Sequence, residues 1–119
     1  MSRLDKRQKA YRKGFVAEYF AAAILIIKGY RICNMRYRTK LGEIDIIARK
    51  GDLAIFIEVK ARKTVPLGVD AVSLTAQNRI RGASDLWLQK QSRASRLSQR
   101  YDIIVVTPWR FPHHFIDAF

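Results

Sequence analysis

Asp45, Glu58 and Lys60 are the residues of this chain from which chemistry can be built. They lie in two short apolar runs, Gly-Glu-Ile-Asp-Ile-Ile over 42–47 and Phe-Ile-Glu-Val-Lys over 56–60, with Gly51-Asp52 between them. Gly followed by Asp suits a two-residue hairpin turn, because glycine supplies the positive φ that such turns need. That turn pairs Lys50 with Leu53. Counting outward then sets Ile47 opposite Phe56, Asp45 opposite Glu58 and Glu43 opposite Lys60. Alternate residues of a strand share a face. Glu43, Asp45, Glu58 and Lys60 are therefore expected as one cluster, on a face that also carries Ile47, Ala54 and Phe56. A one-residue slip would send one set to the opposite face.

Directly opposed residues in an antiparallel pair have Cβ atoms about 4.5–5.5 Å apart, and like charges there destabilise the sheet. Two acids on a partly apolar face need a reason, and a divalent cation is the simplest. Mg²⁺ or Mn²⁺ takes hard oxygen ligands, typically one or two carboxylates completed by water and substrate phosphate. Lys60 supplies an ammonium that positions water or stabilises charge on a phosphate. Acid, acid, lysine and metal together make a phosphodiester hydrolysis site. A bare Glu-x-Lys in a strand is more readily an ordinary solvent-facing salt bridge, and Asp45 could pair with one of the many arginines. The specificity comes from the whole constellation in a strongly basic chain.

Glu18 lies in a helical pattern with Gly14, Ala21, Ala22 and Leu25 on its side. A carboxylate on a small apolar face requires a partner. Two readings stand: a further ligand to metal or water at the edge of the site, or a buried salt bridge with one of the arginines.

The elements that must position these residues follow from periodicity. The first 28 residues lack proline and read as a helix, with Gly29 as its stop. Tyr30–Arg38, Gly42–Arg49 and Leu53–Ala61 read as strands. Pro66-Leu67-Gly68 marks a loop. Leu74–Gln89 is a second helix with Ile80, Ala83 and Trp87 on one stripe. Lys90–Arg100 is a polar loop or frayed helix end. Tyr101–Thr107 is a continuous apolar run, typical of a buried strand, and Pro108 ends it. A last short strand runs through Phe115 and Ile116. Helix, three strands, helix, strand indicates an α/β fold with a mixed sheet in one domain spanning 1–119.

Lys and Arg number 23 against 10 Asp and Glu, a net charge of +13. The usual partner of so basic a surface is nucleic acid. Arg36, Arg38, Lys40, Arg49, Arg62 and Lys63 lie near the motif strands and are candidates for phosphate contacts. Cys33 is the single cysteine, so no internal disulfide forms. The apolar stretch from Phe15 to Ile27 contains Glu18 and is too short to span a bilayer. A soluble cytoplasmic protein with no membrane partner is expected.

The segments Gly42–Ala48 and Phe56–Arg62 resemble the YraN-type family of small bacterial proteins, which is assigned to the PD-(D/E)xK nuclease superfamily and is similar to archaeal Holliday junction resolvases. The resemblance extends over nearly the whole chain, including Gly14–Ala22, Ala83–Leu88, Arg100-Tyr101-Asp102 and the ending Ile116-Asp117-Ala118-Phe119. It implies a restriction-endonuclease-like core, a mixed central sheet flanked by helices. It implies metal ligation by Asp45 and Glu58 with the Val59 main-chain carbonyl, Lys60 as catalytic lysine, and Glu18 as the first-helix acid. Glu43 belongs to the motif without an assigned role. Ile44 stands where the superfamily name implies proline, as is normal for this branch. The second helix has Ala76-Gln77-Asn78 where relatives are expected to carry a lysine near position 76; Gln77 is a candidate support for the site. The implied function is a metal-dependent endonuclease hydrolysing phosphodiester bonds in DNA, ahead of RNA, with branched or recombining DNA among its substrates. By analogy with resolvases, a homodimer is implied. The alternatives are a non-catalytic nucleic-acid-binding module with this fold, or a basic RNA- or ribosome-associated protein.

Three weaker signals read as structural. His113 and His114 point to opposite strand faces and are expected as a surface pair. Cys33 is expected at the core or an edge. Trp109, after Pro108, is expected to pack, with stacking on a base as the other reading.

Overall fold

The computed structural model describes the backbone of residues 3–65, 72–92 and 94–119, and side chains of these stretches from residue 14 onward. The Pro66-Leu67-Gly68 loop lies outside the described residues. Helix α1 spans Arg3–Ile27. Strands β1 (Arg31–Arg38), β2 (Glu43–Lys50) and β3 (Leu53–Ala61) follow. Helix α2 spans Leu74–Gln89, β4 Ser98–Val106 and β5 His113–Phe115. The strands form one sheet in the order β1-β2-β3-β4-β5. Only β3–β4 is parallel, and α2 lies in that crossover. This is an α/β fold of the restriction-endonuclease-like type, a mixed sheet between two helices.

The Gly51-Asp52 turn sets the register. Gly51 takes φ 60°, and Lys50 pairs with Leu53, Arg49 with Ala54 and Ile47 with Phe56, as counted from the sequence. Alternation along β3 then divides the core. Ile55 and Ile57 join Ile46, Ala48 and Ile104 under Ala21, Ala22 and Leu25 of α1. Ala54 and Phe56 join Ile44 and Ile47 under Ile80, Ala83 and Trp87 of α2. Phe56 is fully buried, edge-on to Trp87 with ring centroids 5.7 Å apart. Burial of such a ring stabilises the fold by roughly 1.5–3 kcal/mol. Ser73 caps α2, its hydroxyl accepting from the Ala76 N–H at 3.1 Å.

Strict alternation fails on β2. Ile44 and Ile47 both pack toward α2 although they are three residues apart. The strand therefore changes its facing between them. Opposite this point on β1, Arg36 sits at φ 52°, in the left-handed region. β1 also shifts register between Ile32 and Asn34.

Several expectations need correction. β4 starts at Ser98, three residues before the apolar run, and Ala94–Arg96 forms a short 3₁₀ turn. Pairing with β3 extends the strand beyond its hydrophobic part: Ser98, Gln99 and Arg100 match Leu53, Ala54 and Ile55. His114 is not a surface residue. Its side chain is 1% exposed and its Nε2 lies 2.7 Å from Asp102 Oδ2. His113 beside it is exposed, as opposite faces require. Trp109 does not pack: it is fully exposed, on a residue at φ 62° that turns the chain after Pro108.

Candidate active site

Phe56 faces α2, and the next positions on that side of β3 are Glu58 and Lys60. The β2–β3 ladder runs from Lys50–Leu53 to Ile46–Ile57. At the following position the Asp45 side chain takes over the pairing role. Its Oδ2 accepts the Val59 N–H at 2.8 Å. The Asp45 carboxylate is thus fixed between the strands, against Glu58. A strand residue directs its N–H and C=O to the same neighbour, so the Val59 carbonyl points to the Asp45 side as well. Lys60 Nζ lies 3.5 Å from Glu58 Oε1, and both side chains are largely buried.

Burial pushes the Glu58 carboxyl up most strongly. The Asp45 charge and a carboxyl–carboxyl hydrogen bond to Asp45 add to this, and Lys60 opposes it. The result is a Glu58 carboxyl pushed up to about 8. Glu58 therefore holds its proton well above the usual carboxylate range, beside the Asp45 charge.

Glu18 enters from α1. It is buried, and its Oε2 accepts from Arg36 Nε at 2.8 Å. Burial raises its carboxyl, the Arg36 hydrogen bond lowers it, and the Asp45 and Glu43 charges raise it further; the net direction is upward. Glu18 is therefore salt-bridged to an arginine, the second of its two readings, and it also feels the charge of Asp45. Arg36 also stacks its guanidinium 3.6 Å over the Phe15 ring. These contacts hold the Arg36 side chain against α1.

The remaining candidates divide. Glu43 does not oppose Lys60. It pairs across to Arg38 at 3.1 Å on the exposed side of the β1–β2 ladder. It also lines a depression of about 180 Å³ with Glu58, Ala76, Arg79 and Ile80. Gln77 donates from Nε2 to the Val72 carbonyl at 3.3 Å, at the start of α2. Arg62 Nη1 caps the Ala61 carbonyl at 2.8 Å. Lys40 and Lys63 are exposed. Arg49 lies at the far end of β2, paired with Ala54. Arg79 was not singled out from the sequence, yet it brings a cation beside Glu43 and Glu58. The signal was available: Arg79 stands one residue before Ile80, at the edge of the buried stripe of α2.

Comparison with known proteins places these features in a family. The uncharacterised protein family UPF0102 matches residues 17–106, a span that includes Glu18, the whole β2–β3 hairpin and α2. The chain belongs to the UPF0102 family. A UPF0102 protein of Rhizobium etli (strain CIAT 652) is 65% identical over 113 residues, covering 95% of this chain and 93% of its own length. UPF0102 proteins of Rhizobium meliloti (strain 1021) and Agrobacterium fabrum (strain C58) are 60% and 58% identical, covering 96% and 97% of this chain and 93% and 94% of their own lengths. This is the YraN-like family to which the hairpin motif pointed. Among the described residues of this UPF0102 chain, no helix is long and apolar enough to cross a membrane.

Proposed function

We propose that this UPF0102 chain is a divalent-metal-dependent endonuclease with a PD-(D/E)xK-type site, hydrolysing phosphodiester bonds in DNA, with branched or recombining DNA among its substrates. The observation that carries the reading is the contact of the Asp45 and Glu58 carboxylates at the end of the β2–β3 ladder, with Lys60 Nζ 3.5 Å from Glu58. A purely structural pair of acids would destabilise this sheet without return.

The donor set fits a hard cation of a particular kind. Among the described residues, no three Asp, Glu, His or Cys side chains converge into a ready cage. Mg²⁺ at phosphate-handling sites does not need one: it keeps several waters and takes one or two carboxylates plus substrate phosphate. Asp45, Glu58 and the Val59 carbonyl would hold Mg²⁺ or Mn²⁺ here. When bound, the ion supplies polarisation of the phosphoryl oxygen and acidification of a coordinated water.

The chain's own groups have separable tasks. The Val59 N–H fixes the orientation of Asp45. Lys60 stabilises negative charge developing on the phosphate, or orients the attacking water. Its partial burial strengthens that interaction relative to water. Glu18, held by Arg36, borders the acids and orders water at their edge. Arg38, Lys40 and Lys63 are exposed cations near the motif strands and suit backbone phosphates. The +13 net charge steers a polyanion to this surface.

The test is cleavage of labelled linear, flap and four-way-junction DNA with Mg²⁺ or Mn²⁺, beside Asp45→Ala and Lys60→Ala. Metal-dependent cutting that both substitutions abolish is the expected result. Binding without cutting, equal in wild type and Asp45→Ala, would replace the catalytic reading with that of a binding module once RNA gives the same answer.

A further inference from the structure

A second polar cavity lies on the α2 side of the sheet, along β1 from the Arg31–Arg49 pair to Tyr37. Its volume is about 410 Å³, and its lining includes Arg31, Arg49, Lys90, Tyr37, Asn34 and Trp87. No acid lines it among the described residues. Arg31 and Arg49 are direct partners across the β1–β2 ladder. Like charges placed so destabilise a sheet. Lys90 adds a third cation, 5.9 Å above the Tyr37 ring.

The polar groups that lack partners converge on this same place. Among the described residues, the Tyr37 hydroxyl and Arg49 Nε are the two buried side-chain polar atoms with no hydrogen bond. Buried groups of this kind are ordinarily satisfied, and leaving them unpaired is unfavourable. Asn34 Oδ1 accepts from Trp87 Nε1 at 2.8 Å, which leaves the Asn34 amide N–H groups as donors. The cavity therefore presents donors and cations. Water would satisfy the hydroxyl and Nε, but it would leave the charges of Arg31, Lys90 and Arg49, whose Nη2 donates only to the Gly51 carbonyl at 3.3 Å, without an acid among the lining residues. An anion with several acceptor oxygens answers both needs. A second depression, of about 390 Å³, shares Arg31 and Arg49 and adds Lys50. The basic surface therefore continues beyond the space of one ion.

We propose that this cavity is a phosphate-binding subsite for the backbone of a nucleic-acid strand, with Arg31, Arg49 and Lys90 neutralising the phosphate and the Tyr37 hydroxyl and Arg49 Nε, now closed to solvent, turning into the cavity to donate to it. The identity of the occupant rests on the nucleic-acid reading above; the anion chemistry does not require cleavage. Asp45 and Arg49 are four positions apart on β2, about 13 Å along the strand. One strand could therefore reach both places. By sequence, Arg49 is one of several basic residues near the motif strands suited to phosphate contacts. The structure instead gives it a cavity, an opposed arginine and an unpartnered Nε.

The test is carried out without divalent metal, so its result is independent of cleavage. Cys33 also lines the cavity, and its alkylation by iodoacetamide reports occupancy. Inorganic phosphate, a 5′-mononucleotide and a short single-stranded oligonucleotide are titrated at constant ionic strength in chloride. Tyr37→Phe and Arg49→Lys are compared with wild type, after matched thermal melts establish that both fold. The expected result is saturable protection of Cys33 by phosphate and, at lower concentration, by the oligonucleotide. Each variant should weaken it roughly tenfold or more, as expected for loss of a hydrogen bond to a charged group. Unchanged alkylation at saturating oligonucleotide, or equal protection in the variants, overturns the proposal. Protection by phosphate and mononucleotide but not by the oligonucleotide overturns the strand as occupant.

Discussion

Glu58→Gln should stabilise the metal-free protein, and by more as pH rises. Glu58 and Asp45 hydrogen-bond carboxyl to carboxyl, and burial followed by the Asp45 charge pushes Glu58 up from 4.5 to about 8. The folded state therefore keeps a proton that the unfolded chain releases. The sign follows: this stabilising contribution is fully present below about 4.5 and is lost as pH rises through about 8. One unit of pKa difference corresponds to about 1.4 kcal/mol. Wild type can therefore lose at most about 1.4 kcal/mol per pH unit across the window, or about 4 kcal/mol between pH 5 and 8. The Glu58 side chain keeps some contact with water, which screens it, so we expect about half of that ceiling. At roughly 4 °C per kcal/mol for a domain of this size, the loss corresponds to about 8 °C. Glutamine keeps the shape and cannot ionise. The assay is thermal unfolding of both proteins in EDTA from pH 5 to 8.5. The two melting temperatures should nearly coincide at pH 5 and separate to about 8 °C at the upper end, with the variant higher. Mg²⁺ should raise wild type and close the gap, because a ligand that binds the folded state stabilises it by mass action. A gap that stays constant with pH would refute the proton held on Glu58 and, with it, the stored repulsion.

Three further outcomes are expected. Asp102 is fully buried and accepts from Arg100 Nε at 2.9 Å and Nη2 at 2.8 Å, from His114 at 2.7 Å and from the Asp117 N–H at 2.9 Å. Asp102→Ala should therefore cost about 3–5 kcal/mol in urea unfolding. Burial pushes the Asp102 carboxyl up, but the His114 and Arg100 hydrogen bonds and the Asp117 amide outweigh it and hold it down at about 2; the stability it contributes is present above about 3.8, so the gap to the variant should shrink as pH falls through 2. Gly42→Ala should destabilise the protein and depress cleavage together, because a Cβ there would collide with the Arg79 backbone carbonyl and push α2 off the residue preceding Glu43; an unchanged melting temperature would show that α2 yields freely. Trp109→Ala should leave stability within about 0.5 kcal/mol, since the ring is fully exposed, and a loss of single-strand affinity in that variant would assign the ring to base stacking.

The parts of this molecule governed by local pattern could be read from the chain. The Gly51-Asp52 turn needs only two residues, and from it the β2–β3 register follows by counting as far as Ile47–Phe56. The α2 stripe of Ile80, Ala83 and Trp87 is a 3.6-residue period and is buried as expected. What was not legible depends on distant partners. Ser98–Arg100 are polar and become strand only because β3 lies beside them. His114 looks like half of a surface pair until Asp102 and the Lys28 ammonium, 2.9 Å from Nδ1, enclose it. An ammonium only donates, so Nδ1 accepts and Nε2 carries the proton given to Asp102. At the site, counting outward from the turn assumed that the two strands stay paired. They part at Asp45, whose side chain takes the Val59 amide, so Glu43 meets Arg38 rather than Lys60. No local pattern carries that departure; opposite Asp45, β1 has Arg36 in the left-handed region, which the sequence does not signal either.

The three-residue strand β5 has a consequence for solubility. It covers one end of β4 through Ile103, Ile104 and Val105, all buried or nearly so. Those residues are β-branched, uncharged and consecutive, the composition of a segment that stacks into cross-β fibrils when its edge is bare. The other margin of the sheet is β1, interrupted by a register shift and by Arg36 at positive φ. One margin is capped and the other is bent, so neither offers a long flat template for intermolecular strand addition. Loss of the Asp102 clamp to His114 would release β5 first, and aggregation nucleated on β4 is then the expected fate of the loosened molecule.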